Sequence, residues 1–153
     1  MLSLTYSFRT AMDLYGKLKR DADLLDEVVS GDRFFNFVVT GYHLREWINK
    51  DHTVGAEIKT RLDQASSHRW LLICADVANA SKHFVQAPKK TVQKAESSSG
   101  YGVGRYGKGE YGVGEESIQL TLPDGTEVTA VELRRGVMQL YAFVFGENSS
   151  LPA

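Results

Sequence analysis

Apolar residues recur at steps of three and four across residues 4–29, as Leu4, Phe8, Ala11, Tyr15, Leu18, Ala22, Leu25 and Val29. That spacing puts them along one side of a helix. On another side, Asp13–Lys17 and Lys17–Asp21 are i,i+4 pairs of opposite charge, each worth about 0.2–0.5 kcal/mol. Ser30-Gly31-Asp32 stops this helix and offers Asp32 as the N-cap of the next. Residues 33–49 are apolar nearly all round. At about 100° per residue, Phe34, Phe37, Val38, Gly41, Tyr42, Leu44 and Ile48 cover most of the circumference, and Phe35, Val39 and Trp47 fill the rest. A helix without a polar face belongs at the centre of a fold.

A shorter helix is predicted over 54–65, striped by Val54, Ile58, Leu62 and Ala65 and capped by Asp51 or Thr53. A fourth runs over 68–86, with Trp70, Leu71, Ile73, Cys74, Val77, Phe84 and Val85 on one wide apolar arc. Pro88 ends it, because the residue before a proline avoids the helical region. The material then changes. Residues 101–115 are three pentads, Tyr-Gly-Val-Gly-Arg, Tyr-Gly-Lys-Gly-Glu and Tyr-Gly-Val-Gly-Glu, within a Gly/Tyr-rich segment read as a flexible loop over 96–116. Ser117 to Leu122 alternates at period two, Pro123-Asp124-Gly125 is a turn, and Thr126-Glu127-Val128 returns, so 117–128 reads as a β-hairpin. Thr129 and Glu132 have capping-box spacing and open a last helix over 130–145, with Leu133, Val137, Leu140, Tyr141 and Val144 inward and Gly146 at C′. The pattern predicts a mainly α single domain over 1–153. Its helical body is 1–87, and it is a four- to five-helix bundle with a small β-hairpin inserted before the last helix.

Composition narrows this further. The chain has 153 residues, 42% of them hydrophobic, and a net charge of −1. That excludes a disordered tail protein and a strongly basic nucleic-acid-coating protein. The neutrality hides a split, with +3 over residues 1–95 and −4 over 96–153. Neither part is basic enough to be an electrostatic nucleic-acid footprint. A lone cysteine, Cys74, cannot close an internal disulfide, which fits a reducing cytoplasm. No basic, apolar leader is read at Met1 to Thr5. The longest apolar run, Trp70 to Ala75, is far short of the roughly 20 residues of a spanning helix, so no membrane contact is expected.

Four groups of residues carry candidate chemistry. Gly102 to Gly107 and Gly107 to Gly112 both spell G-x-G-x-x-G, but no buried strand precedes them and no helix follows, so phosphate cradling is not expected. Tyr101, Tyr106 and Tyr111, with Arg105 and Lys108 between them, have the makings of an arm that stacks on bases or on a partner. On the fourth helix, Asp76, Asn79 and His83 fall within about 60° of each other, with Lys82 and Leu72 nearby. A carboxylate orienting an imidazole suits a general base or an ion ligand; the same pattern also makes the solvated face of an amphipathic helix. Arg45 and Arg134 lie inside apolar arcs. A desolvated guanidinium costs several kcal/mol unless paired, so each predicts a carboxylate or carbonyl partner, or an anion or nucleic-acid contact. The four histidines form no H-E-x-x-H or i,i+4 pair, and no Gly-x-Ser-x-Gly is present. Neither a metal, a cofactor nor a nucleophilic triad is expected.

Arg45 to His52 and Arg61 to His68 each enclose six residues. An all-helical domain carrying this spacing resembles the HEPN superfamily of bacterial and phage helical bundles. Its motif is Arg, four to six residues, then His. The resemblance implies a dimer whose two motifs meet across the interface, and metal-independent RNA cleavage in defence or toxin–antitoxin systems. Two functions are therefore expected. The first is a non-catalytic binding or regulatory protein, working on a protein partner or by self-association as a homodimer. The alternative is a HEPN-like ribonuclease or RNA-binding protein, with Arg45 and His52, or Asp76, Asn79 and His83, as its polar site residues.

Overall fold

A computed structural model describes the chain over residues 6–82, 91–98 and 116–153, with Ser81 and Lys82 as backbone only. These residues form α1 (Ala11–Glu27), α2 (Gly31–Lys50), α3 (Ala56–Ala65), α4 (Arg69–Lys82), β1 (Lys94–Ser98), β2 (Ser117–Thr121), β3 (Glu127–Thr129) and α5 (Ala130–Val144). The architecture is mainly α, with a small antiparallel sheet preceding the last helix, as the pattern predicts.

Capping chemistry moves several boundaries. The Thr10 hydroxyl accepts the Asp13 N–H at 3.1 Å while the Asp13 carboxylate accepts the Thr10 N–H at 3.0 Å. This reciprocal box starts α1 at Ala11, so Phe8 precedes the helix although it shares the stripe. Ser30, not Asp32, caps α2, its hydroxyl taking the Arg33 N–H at 3.2 Å. Asp32 falls in the first turn, where its charge suits the positive helix end. The N-cap of α3 is Gly55 rather than Asp51 or Thr53. At the other end of the chain Thr129 caps α5 as expected. Gly146, at φ +80°, closes it, with bonds from Gly146 N–H to the Phe143 carbonyl and from Glu147 N–H to the Ala142 carbonyl.

The predicted hairpin is β2–β3, with Leu120 opposite Val128, both buried. The sheet has a third strand that the pattern did not predict. β1 pairs antiparallel with β2, giving the order β1-β2-β3, so residues 96–98 are strand and not loop. Lys-Ala-Glu-Ser-Ser shows no apolar alternation because all five side chains are exposed. The strand is held by backbone pairing, which side-chain periodicity does not report. The Tyr-Gly pentads lie outside the described residues.

α2 touches the other four helices. Phe37, Val38, Leu44 and Ile48 are buried on it, yet Phe35, Asn36, His43 and Glu46 are exposed, so the central helix keeps one open face. At Gly41 four helices converge: a Cβ there would lie 3.1 Å from Cys74 Sγ, 3.5 Å from Val137 Cγ1 and 3.7 Å from Leu18 Cδ1. The buried Tyr141 hydroxyl donates to the Gly41 carbonyl at 2.6 Å, binding α5 to the middle of α2. Trp70 lies flat against Gly136 in the α4–α5 contact. Between α1 and α2 sits a buried polar pair. The Thr40 hydroxyl is 2.8 Å from the Asp21 carboxylate, and Lys17 Nζ reaches Asp21 at 2.5 Å and Thr40 at 3.1 Å. No described helix is long and apolar enough to cross a membrane.

Candidate functional site

The start of α1 meets the end of α2 in an open groove of about 520 Å³, within the usual size of a ligand cleft. Arg9, Ala11, Glu46, Trp47, Lys50, Asp51, His52 and Thr53 line it. Asp51 organises the corner. As C-cap of α2 it leaves the helix in an extended conformation, which turns its carboxylate toward α1. One oxygen accepts the Ala11 N–H at 2.8 Å, one of the first-turn donors that a helix cannot satisfy internally. The other takes the Thr53 N–H at 2.8 Å and the Thr53 hydroxyl at 2.7 Å. Partial burial works to raise the Asp51 carboxyl, but the Ala11 and Thr53 donors outweigh it and hold the group below its ordinary value.

The second acid is also engaged. Glu46 accepts Lys50 Nζ at 2.7 Å, and this bond and its charge keep the Glu46 carboxyl below its usual range. Trp47 packs on the core with its ring partly exposed. Arg9 and His52 are exposed beside it. The groove therefore offers a partly exposed aromatic residue, exposed Arg9 and His52 beside it, and carboxylates already committed to neighbouring donors.

The other predicted residues separate. His52 reaches the groove; Arg45, its partner in the Arg-to-His spacing, is not among the lining residues. Half-buried Arg45 lies with Cζ 5.7 Å from the Tyr42 ring centroid, a cation–π contact. Among the described residues no carboxylate is within 4.0 Å of it. Burial pushes the Cys74 thiol up to about 12 and the Tyr141 hydroxyl well above its ordinary value, and the Arg45 charge pulls both back. Arg134 has the partner expected of it: Nε donates to the Ala22 carbonyl at 2.6 Å, and Nη2 stands 4.0 Å from Asp23.

Asp76 is engaged by the backbone, accepting the Val92 N–H at 3.0 Å where the chain enters β1. Asn79 is half-buried on the same helix. Lys82 is the last described residue of α4, while His83, Tyr101, Tyr106 and Tyr111 lie outside the described residues. The second Arg-to-His pair serves the C-terminal segment. Arg61 Nε donates to the Val144 carbonyl at 2.9 Å, and His68 Nε2 is 2.8 Å from the Pro152 carbonyl. Among the described residues no group of three His, Cys, Asp or Glu is placed to hold a metal ion.

Arg9, Trp47 and Lys50 escaped the sequence reading. Trp47 counted as core filler on an apolar helix, and only its partial exposure distinguishes it. The available signal was the run Trp47-x-x-Lys50-Asp51-His52, in which an aromatic is followed by a dense polar cluster at a helix end. No protein-family model, curated protein or solved structure matches the chain.

Proposed function

We propose that the chain is a non-catalytic binding module whose α1–α2 groove takes single-stranded RNA, one base against Trp47 and the adjoining phosphates at Arg9 and His52. The observation that carries the reading is partly exposed Trp47 with exposed Arg9 and His52 beside it and both local acids, Asp51 and Glu46, already bonded. Stacking a base on an aromatic side chain contributes about 1–3 kcal/mol and tolerates any base. Arg9 at the backbone adds a salt-dependent term.

Fluorescence anisotropy of a labelled oligouridine in EDTA tests this. W47A is expected to weaken binding by about tenfold or more, the loss of one stacked base, and raising salt is expected to weaken the wild type. Equal binding by wild type and W47A rules the reading out.

The HEPN-like ribonuclease is a second reading, supported by Arg45, a half-buried guanidinium without a carboxylate partner among the described residues. It predicts metal-independent cleavage of cellular RNA that disappears in R45A and in H52A or H83A. Binding without cleavage favours the module. Cleavage lost in R45A favours the nuclease.

A further inference from the structure

Among the described residues the sheet has an unpaired edge beside an apolar groove, and the two together define an interaction surface. β1 lies at the end of the order β1-β2-β3, and among the described residues it pairs with β2 alone. An edge of this kind presents unpaired N–H and C=O groups to any strand that can align with it. Next to it, Phe34, Phe35, Val38 and Val77 join Ala95 and Ile118 around a groove of about 260 Å³. Phe35 is 49% exposed there, among the most exposed large apolar side chains described.

We propose that β1 pairs antiparallel with β1 of a second copy of this chain about a two-fold axis through Ala95, joining two three-stranded sheets into one. The charges select both occupant and register. Lys94 and Glu96 stand two residues apart, so they share one face of the strand, and they form an ion pair within it. In antiparallel self-pairing centred on Ala95, Lys94 of each copy is directly opposite Glu96 of the other, twice by symmetry. Centring on Glu96 would instead put two carboxylates opposite each other. Centring on Lys94 would put two ammonium groups opposite each other, so both neighbouring registers set like charges face to face. The axis also brings the groove of each copy, with its exposed Phe35, up to the joined edge, where the second copy covers it. This surface shares no lining residue with the Trp47 groove, although both draw on α2, and the pairing does not depend on RNA binding.

Sedimentation equilibrium tests the proposal with charge reversals on the full chain. The wild type is expected to dimerise. K94E and E96K each place like charges opposite at two symmetric sites, and each is expected to weaken dimerisation about tenfold or more. Mixing K94E with E96K makes both cross-strand pairs complementary again and is expected to restore a mixed dimer, as is the double reversal K94E/E96K with itself. Each single variant loses the intrachain ion pair, so rescue by mixing is a result that mere weakening of β1 cannot produce. Circular dichroism confirms that the variants fold. A monomeric wild type overturns the proposal, as does a dimer that K94E and E96K leave intact or a mixture that fails to associate.

Discussion

Replacing Gly136 by alanine sets helix propensity against packing, and the structure decides the sign. Alanine is favoured over glycine inside a helix by about 1 kcal/mol, so at an open position in α5 the change would stabilise. At Gly136 the new Cβ would lie 2.3 Å from both Cδ2 and Cε2 of Trp70 and 2.5 Å from Cγ. Carbon atoms sit at about 3.5–4.0 Å in ordinary contact, so either the ring or α5 must retreat by more than an ångström. The ring has little freedom to do so. It is 7% exposed, its Nε1–H donates to the Ala153 carbonyl at 3.2 Å, and the Arg69 guanidinium lies 4.3 Å from its centroid. The overlap falls on the fused-ring carbons nearest the backbone, which cannot swing away as the tip of a flexible side chain would. Overpacking of this kind costs about 1–3 kcal/mol and occasionally more.

Taking the upper part of that range and subtracting the propensity gain leaves Gly136→Ala destabilised by about 2 kcal/mol. For a chain of this length that lowers Tm by roughly 4–8 °C. Thermal unfolding by circular dichroism and urea titration measure it. In a Trp70→Leu background, itself destabilised, the obstruction is gone, and Gly136→Ala should become neutral or stabilising by up to about 1 kcal/mol. A Gly136→Ala protein as stable as wild type, or an equal cost in both backgrounds, would refute the argument.

Three further outcomes are expected. Asp51 is depressed in the folded state, so the unfolded chain binds the extra proton: its contribution is complete above the ordinary carboxylate value and is lost as pH falls through the lower folded one. Acid titrations of stability should therefore flatten in Asp51→Asn relative to wild type, and Asp51→Ala should cost about 1–3 kcal/mol near neutral pH by leaving the N–H of buried Ala11 without its acceptor. Thr40→Val keeps the volume but takes the hydroxyl away from Asp21, which is 8% exposed; chemical denaturation should show a loss of about 1–3 kcal/mol. Cys74, fully buried with its thiol pushed up to about 12, should react with a disulfide reagent at pH 8 only at the rate of unfolding, and immediate labelling of the native protein would contradict its placement.

The helices were legible because burial imposes a period, and the stripe of α1 and the inner face of α5 are the positions the structure buries. Boundaries were less so. Several polar residues near each helix start are able to cap, and whether Ser30 or Asp32 takes the role depends on backbone geometry rather than residue type. β1 was invisible because an exposed edge strand imposes no apolar rhythm. At the candidate site the pattern found His52 but also favoured Asp76, whose carboxylate is engaged by the Val92 N–H sixteen residues away. A carboxylate spent on distant backbone and one open to a ligand look alike until the chain is folded. Arg134 was the clearer case: a cation in an apolar arc needs a partner, and Ala22 supplies it.

The bond from Tyr141 to Gly41 joins residues 100 positions apart. Until α5 emerges during synthesis, α2 has neither this anchor nor the Val137 side chain beside Gly41, and the faces that α1, α3 and α4 turn toward α5 have nothing to pack on. The earlier helices can pack α1 and α4 on α2, but the interior they share stays open on the side that α5 covers. Folding of this chain is therefore governed by a late arrival, and its slow step is expected to be the docking of the final helix, with a correspondingly high sequence separation among its decisive contacts.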